Sequence, residues 1–165
     1  MIIESVTIKT IYDGDTLLCD NEQGETLTCR ARWIDTPEIQ KGASSSDPID
    51  LAQWRWGKKA KAWVQGKVST LWIVRQGRDR YDRILADWLT RPCLSVSSSV
   101  QVQLVKAGLA TTFLPYKKLY MLSDWEVNLY TALLKAGVTA YRRPTGFWTD
   151  ENFTLPYQWK KDRNP

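Results

Sequence analysis

The 165-residue chain is one domain's worth, with 43% hydrophobic and 25% charged residues, and it needs no metal or disulfide to fold. Histidine is absent, which excludes Ser-His and Cys-His nucleophilic pairs, histidine zinc sites and any imidazole acid or base. The net charge of +5 suits nucleic acid or another anionic partner, and equally suits a plain solvated surface.

Met1 to Thr10 lacks a basic start followed by an apolar block, so no secretory signal is expected. Nothing approaches the ~18 apolar residues of a membrane span. Ile2 to Ile11 alternates loosely, with Val6 and Ile8 on one face, and reads as a strand. Asp13-Gly14 is a turn signal, and Thr16 to Asp20 is a short second strand. Asn21 to Gly24 is a loop, and Glu25 to Ile34 returns as the third strand. Pairing around that loop puts Cys19 near Thr26 and Cys29 near Thr16, so no disulfide is expected across the hairpin. With Cys93 the cysteines number three, an odd count that leans toward a reducing compartment and leaves export behind a removed leader open.

Pro37 ends the third strand, and Ile39 to Gln53 reads as a mobile surface loop. Trp56, Ala60, Trp63, Val64 and Val68 recur at helical spacing, which predicts a helix over Gln53 to Lys67. Two more strands follow at Thr70 to Arg75 and Ile84 to Leu89, then a short helix at Val100 to Ala107. Ser123-Asp124-Trp125-Glu126 is a capping box that opens a third helix, and Gly137 suits its end. Thr149 to Pro165 lacks periodicity, so the chain divides into a domain over 1–148 and a tail over 149–165. Five strands followed by helices predict an α+β fold. Of the nine tryptophans, most are expected in the core and a few are candidates to stack on bases.

Without histidine, the reactive groups are carboxylates and arginines. Asp13 and Asp15 flank one turn, and Asp35 and Glu38 flank the end of the strand that carries Arg30. Two carboxylates from adjacent strand ends, with a backbone carbonyl, make a hard oxygen site suited to Ca²⁺ or Mg²⁺. Taken singly, Asp-Gly is a common hairpin turn and Asp-Thr-Pro-Glu a common strand exit or helix start. Asp79-Arg80-Tyr81-Asp82-Arg83 taken alone is a solvated charge run at a turn. All three in this order are much less expected by accident.

Tyr12-Asp13-Gly14-Asp15-Thr16, Arg30 through Asp35-Thr36-Pro37-Glu38, Asp79 to Ala86, and Leu104 to Ala110 together resemble the staphylococcal nuclease (thermonuclease) family. The similarity runs from about Val6 to Trp148, closing on Gly146-Phe147-Trp148. It implies a five-stranded OB-type β-barrel with three α-helices. It implies a Ca²⁺-dependent nuclease acting on DNA and RNA, and products that carry 3′-phosphates; Mg²⁺ and Mn²⁺ are further candidate cofactors. The family's metal ligands fall on Asp15, Asp35 and the carbonyl of Thr36, its catalytic trio on Arg30, Glu38 and Arg83, and a supporting carboxylate on Asp13. Its phosphate contacts fall on Arg80 and Tyr81, and one of two substrate-contacting tyrosines on Tyr116, with Phe113 or Leu114 in the region of the other.

These roles make chemical sense. Arg30 and Arg83 can each donate paired hydrogen bonds to the oxygens on which charge develops during phosphodiester cleavage. Glu38 can act as general base or simply orient water. Asp82 stands where the family usually has glycine, which suggests a positive φ, and its charge beside Arg83 predicts that Asp82→Gly raises the rate. A single-stranded nucleic acid, little sequence specificity, no membrane and a monomer are expected. The alternatives are a non-catalytic nucleic-acid-binding OB-type module and a protein-interaction domain.

Overall fold

A computed structural model of the chain describes residues 1–42, 44–68, 70–115 and 119–163. Five strands close a barrel: β1 (Glu4–Ile11), β2 (Thr16–Asn21), β3 (Thr26–Ala31), β5 (Leu71–Arg78) and β6 (Ile84–Leu89). Around the barrel the order is β1-β2-β3-β6-β5, antiparallel except for the parallel β3–β6 pair. Two-residue strands β4 (Ile34–Asp35) and β7 (Thr111–Thr112) pair outside it. The helices are α1 (Pro48–Lys67), α2 (Val100–Lys106), α3 (Asp124–Arg142) and α4 (Pro156–Arg163). The five-stranded α+β barrel matches expectation, with one α-helix more among the described residues than the three predicted.

The loose alternation of β1 has a local cause. A bulge between Ile8 and Thr10 resets the register, so Val6 and Ile11 both reach the core despite their odd spacing. In the β2–β3 hairpin, Thr16 faces Arg30 and Cys19 faces Leu27, one residue off the expected pairing. Asn21 sets this register: its backbone N–H bonds to Glu25 O at 3.0 Å, and its side-chain oxygen accepts from the amides of Gln23 and Glu25. Cys19 and Cys29 remain free thiols, both buried, with sulfurs 3.6 Å apart.

The third strand ends early because Trp33 adopts a positive φ of 65°, which turns the chain so that Ile34–Asp35 pairs with β7. Helix α1 begins five residues before the sequence suggested. Asp47 caps it by accepting from the Ile49 amide at 2.8 Å, and Pro48 occupies its first turn, where a missing N–H is harmless. The capping box at Ser123 and Glu126 is present as expected. Gly137 does not end α3, which runs on to Arg142; the glycine lies against Thr112 and Val105, where a side chain would crowd.

One buried polar knot ties the barrel to α2 and α3. Asp87 is fully buried and accepts from Arg32 Nε at 2.5 Å and Nη2 at 2.8 Å, Trp125 Nε1 at 2.8 Å, Gln76 at 3.2 Å and Gln101 at 3.3 Å. Arg32 also reaches Glu126 at 2.6 Å. A charge buried this deeply is tolerated only with such pairing. The knot fixes the strand that carries Arg30 against α3.

Candidate active site

The β1–β2 turn places the first carboxylates. The Asp15 amide donates to Asp13 Oδ1 at 3.0 Å, and Ala31 N–H donates to Asp15 O at 2.8 Å, which pins the turn to the end of β3. Asp15 is 2% exposed. Its Oδ1 accepts from Thr16 Oγ1 at 2.8 Å and Arg30 Nη1 at 2.6 Å, and its Oδ2 accepts from the Thr36 amide at 2.9 Å. The other arm of the Arg30 guanidinium donates to Asp35 Oδ1 at 3.0 Å. Arg30, Asp15, Asp35 and Thr36 therefore meet at one point. Residues 30 and 35 approach because β3 breaks between them.

Glu38 follows on a backbone wedged against α1. Gly57 lies there: a Cβ on it would sit 2.2 Å from Glu38 O. Gly14 serves the Asp13–Asp15 turn in the same way, since a Cβ would meet Ala60 Cβ at 2.7 Å and Thr36 Cγ2 at 2.8 Å. Both glycines are small so that two site segments can rest on one helix.

Arg83 stands apart from this group. Its Nε and Nη2 hold Asp79 Oδ2 at 2.7 and 2.6 Å, and Asp79 Oδ1 accepts the Arg83 amide at 3.1 Å. Asp82 has the positive φ expected, 62°, but its carboxylate pairs with Arg78 at 3.0 Å. The charge beside Arg83 is that of Asp79, and the expected effect of Asp82 on Arg83 has no geometric basis. Arg80 donates to the Tyr81 hydroxyl at 2.6 Å, and both the Arg80 and Arg83 guanidinium groups lie over the Tyr81 ring, which is 64% exposed.

A groove of about 710 Å³ runs past Arg30 to Asp79 and is walled by Trp33, Ile34, Leu85, Phe113, Leu114 and Pro115. Phe113 is held there by its amide, which donates to Trp33 O at 2.8 Å. Tyr116 lies outside the described residues.

The sequence reading missed one participant. Lys160, on α4 in the segment expected as a tail, sets its ammonium 2.7 Å from Asp35 Oδ1 and 2.9 Å from Glu38 Oε1. No local pattern could have signalled a contact between residues so distant in the chain. Asp79 is the other omission, and its spacing of four from Arg83 was visible as a pairing signal.

The site is acid-rich and buried, which separates its carboxylates. Burial and the Asp15 charge push Asp13 up to about 7. Burial pushes Asp15 up too, but Arg30, the Thr36 amide, Lys160 and the Thr16 hydroxyl outweigh it and hold that carboxyl below its usual value. Asp35, with fewer donors, stays above its usual value through burial and the neighbouring Asp15 charge, despite Lys160 and Arg30. Burial works against charge on Lys160, yet Asp35 and Glu38 raise its affinity for the proton. Among the described residues, no three acidic, cysteine or histidine side chains converge as a ready metal cage. Among the described residues, no helix is long and apolar enough to cross a membrane.

Comparison with known proteins bears on this arrangement. The family model described as staphylococcal nuclease homologue matches residues 28–150. The chain is 26% identical over 154 residues to a protein of Haemophilus influenzae named as an uncharacterized endonuclease, covering 93% of this chain and 71% of that protein. It is 30% identical over 164 residues to an uncharacterized 38.1 kDa protein of Capnoides sempervirens, covering 94% of this chain and 39% of that one.

Proposed function

The chain belongs to the staphylococcal nuclease homologues, and from that premise we propose that it is a Ca²⁺-dependent nuclease. It hydrolyses phosphodiester bonds of DNA and RNA with little sequence specificity and leaves 3′-phosphate ends. One observation carries the reading: the Arg30 guanidinium spans the buried Asp15 and Asp35 at the edge of an open groove. A planar fork at such a point can give two parallel hydrogen bonds to a phosphoryl group.

Asp15, Asp35 and the Thr36 carbonyl would hold the cation. They are hard oxygen donors of the kind Ca²⁺ and Mg²⁺ take. The Lys160 ammonium between Asp35 and Glu38 supports the fit, since a cation is already accommodated against these carboxylates. When bound, a divalent ion would supply positive charge beside the scissile phosphate. Glu38 orients the attacking water and accepts its proton. Arg30 and Arg83 stabilise the charge on the phosphoryl oxygens, and Arg83 must leave Asp79 to do so. Asp13 supports the Asp15 turn, and Arg80 and Tyr81 bind a neighbouring phosphate.

The apolar and aromatic walls of the groove favour unstacked bases over a duplex, which supports a single-stranded substrate. The test is degradation of single-stranded DNA in Ca²⁺, against a chelator control and the Arg30→Ala and Glu38→Ala variants. Loss in all three, with folding intact, is expected. Retained cleavage in either variant, or none by the folded parent in Ca²⁺, Mg²⁺ or Mn²⁺, would overturn the reading.

A further inference from the structure

Helix α4 is docked by two sets of contacts. On its outer side, Trp159 Nε1 donates to Asp50 Oδ1 at 2.8 Å, and Arg163 reaches Asp50 at 2.8 Å and Asp47 at 2.6 Å. Those acids lie at the start of α1, away from the groove. On its inner side, Lys160 bridges Asp35 and Glu38, and Tyr157 packs on Phe113 with ring centres 5.8 Å apart. The segment leading into α4 is anchored as well, by Phe153 stacked on Phe147 at 4.0 Å.

The inner contact has a consequence for the carboxylates. Asp35 Oδ1 accepts from both Lys160 and Arg30, and Asp15 Oδ1 accepts from both Arg30 and Thr16. Two donors occupy the two lone pairs of each oxygen. A divalent ion that bound these oxygens would compete with the donors and repel the ammonium. Lys160 sits only a third exposed, so that repulsion is poorly screened.

We propose that Lys160 is an internal competitor for the cation site, so that divalent-ion binding and docking of α4 through Lys160 oppose each other. This rests on the reading of Asp15 and Asp35 as cation ligands. The ammonium neutralises Asp35 and Glu38 while no metal is bound. A divalent ion displaces it and releases the helix from the groove edge beside Phe113. The outer latch suits release, because ion pairs as exposed as Arg163–Asp47 contribute little to stability. By linkage, the factor by which α4 weakens the metal is the factor by which the metal weakens α4, typically about 5–150-fold.

The experiment measures Ca²⁺ affinity by titration calorimetry on the full chain, with Asp15→Asn marking the site. Lys160→Met keeps the apolar stem and removes the charge. The pair Trp159→Ala with Arg163→Ala loosens α4 without touching the site. Both are expected to tighten Ca²⁺ binding by about tenfold or more. Hydrogen exchange of residues 156–163 should quicken when Ca²⁺ is added. If the parent binds Ca²⁺ in an Asp15-dependent way and Lys160→Met binds it no better, the competition is overturned and the cation reading stands. Unchanged or increased protection of α4 in Ca²⁺ overturns it equally. If no variant binds Ca²⁺, Mg²⁺ or Mn²⁺, the cation reading and the competition fall together.

Discussion

Gly57→Ala sets two effects against each other. Gly57 lies inside α1, where alanine is favoured over glycine by about 1 kcal/mol on helix propensity alone. Yet an alanine Cβ would sit 2.2 Å from Glu38 O, 2.6 Å from Glu38 C and 2.8 Å from Pro37 O, where ordinary contacts begin at 3.4 Å. All three are backbone atoms, so relief requires the Glu38 segment to retreat by about 1 Å from α1. Overpacking of this kind costs about 1–3 kcal/mol, which exceeds the propensity gain. The net expectation is a loss of about 1 kcal/mol and a Tm lower by about 2–4 °C. A misplacement of about 1 Å at a reacting group costs about 10²-fold in rate, so kcat should fall far more than stability. Gly66→Ala is the control. It lies in the same helix with nothing within 4 Å of a Cβ, so it should gain up to about 1 kcal/mol and leave cleavage unchanged. Urea denaturation and single-stranded DNA cleavage on both variants decide the matter. A Gly57→Ala protein as stable and as active as its parent would refute the reasoning.

Asp87→Ala leaves Arg32 buried without its main partner, which should cost about 3–5 kcal/mol and lower Tm by roughly 10 °C or more; a loss under about 1 kcal/mol in urea denaturation would show that the knot is dispensable. Burial pushes Glu126 up, but Arg32 and the Ser123 amide and hydroxyl outweigh it and hold its carboxyl below the usual value. Its folded value is therefore the lower of the two, so its contribution is complete above the unfolded carboxylate range near about pH 4.3 and is lost as pH falls through the folded value. Glu126→Gln should accordingly flatten the acid limb of Tm against pH, a change absent if the pair contributes nothing. Asp82→Gly should relieve the positive φ and raise stability by up to about 1 kcal/mol, with cleavage unchanged because Asp79 is the acid that holds Arg83. A rate increase of several-fold would show that the Asp82 charge acts on Arg83.

The strands and most of the carboxylate cluster were legible in the chain because their signals are local, while closure into a barrel was implied only by the family resemblance. Alternating strands, Asp13-Gly14 at a turn, Pro37 after a strand and the Ser123–Glu126 box each act within a few residues of themselves. The motif order put Asp15, Arg30 and Asp35 at neighbouring strand ends, and in the structure the break after β3 brings Asp35 back to Arg30. The first turn of α1 was legible too, in Asp47 and Pro48, but the surrounding small polar residues masked it.

Other features were decided through space. The hairpin register turned on the Asn21 side chain folding over its own loop, and a slip of one residue there reverses which faces point inward. Gly137 reads as a helix end locally, while packing against Thr112 makes it a helix interior. Arg83 faces Asp79 because the turn that brings them together exists only once β5 and β6 pair. Lys160 shows the limit most clearly. Its helix has little amphipathic pattern of its own and is held by acids at the start of α1 and in the site. A charge that finds its partners across the folded surface leaves no period in the sequence, and only the tertiary structure can bring it to Asp35 and Glu38.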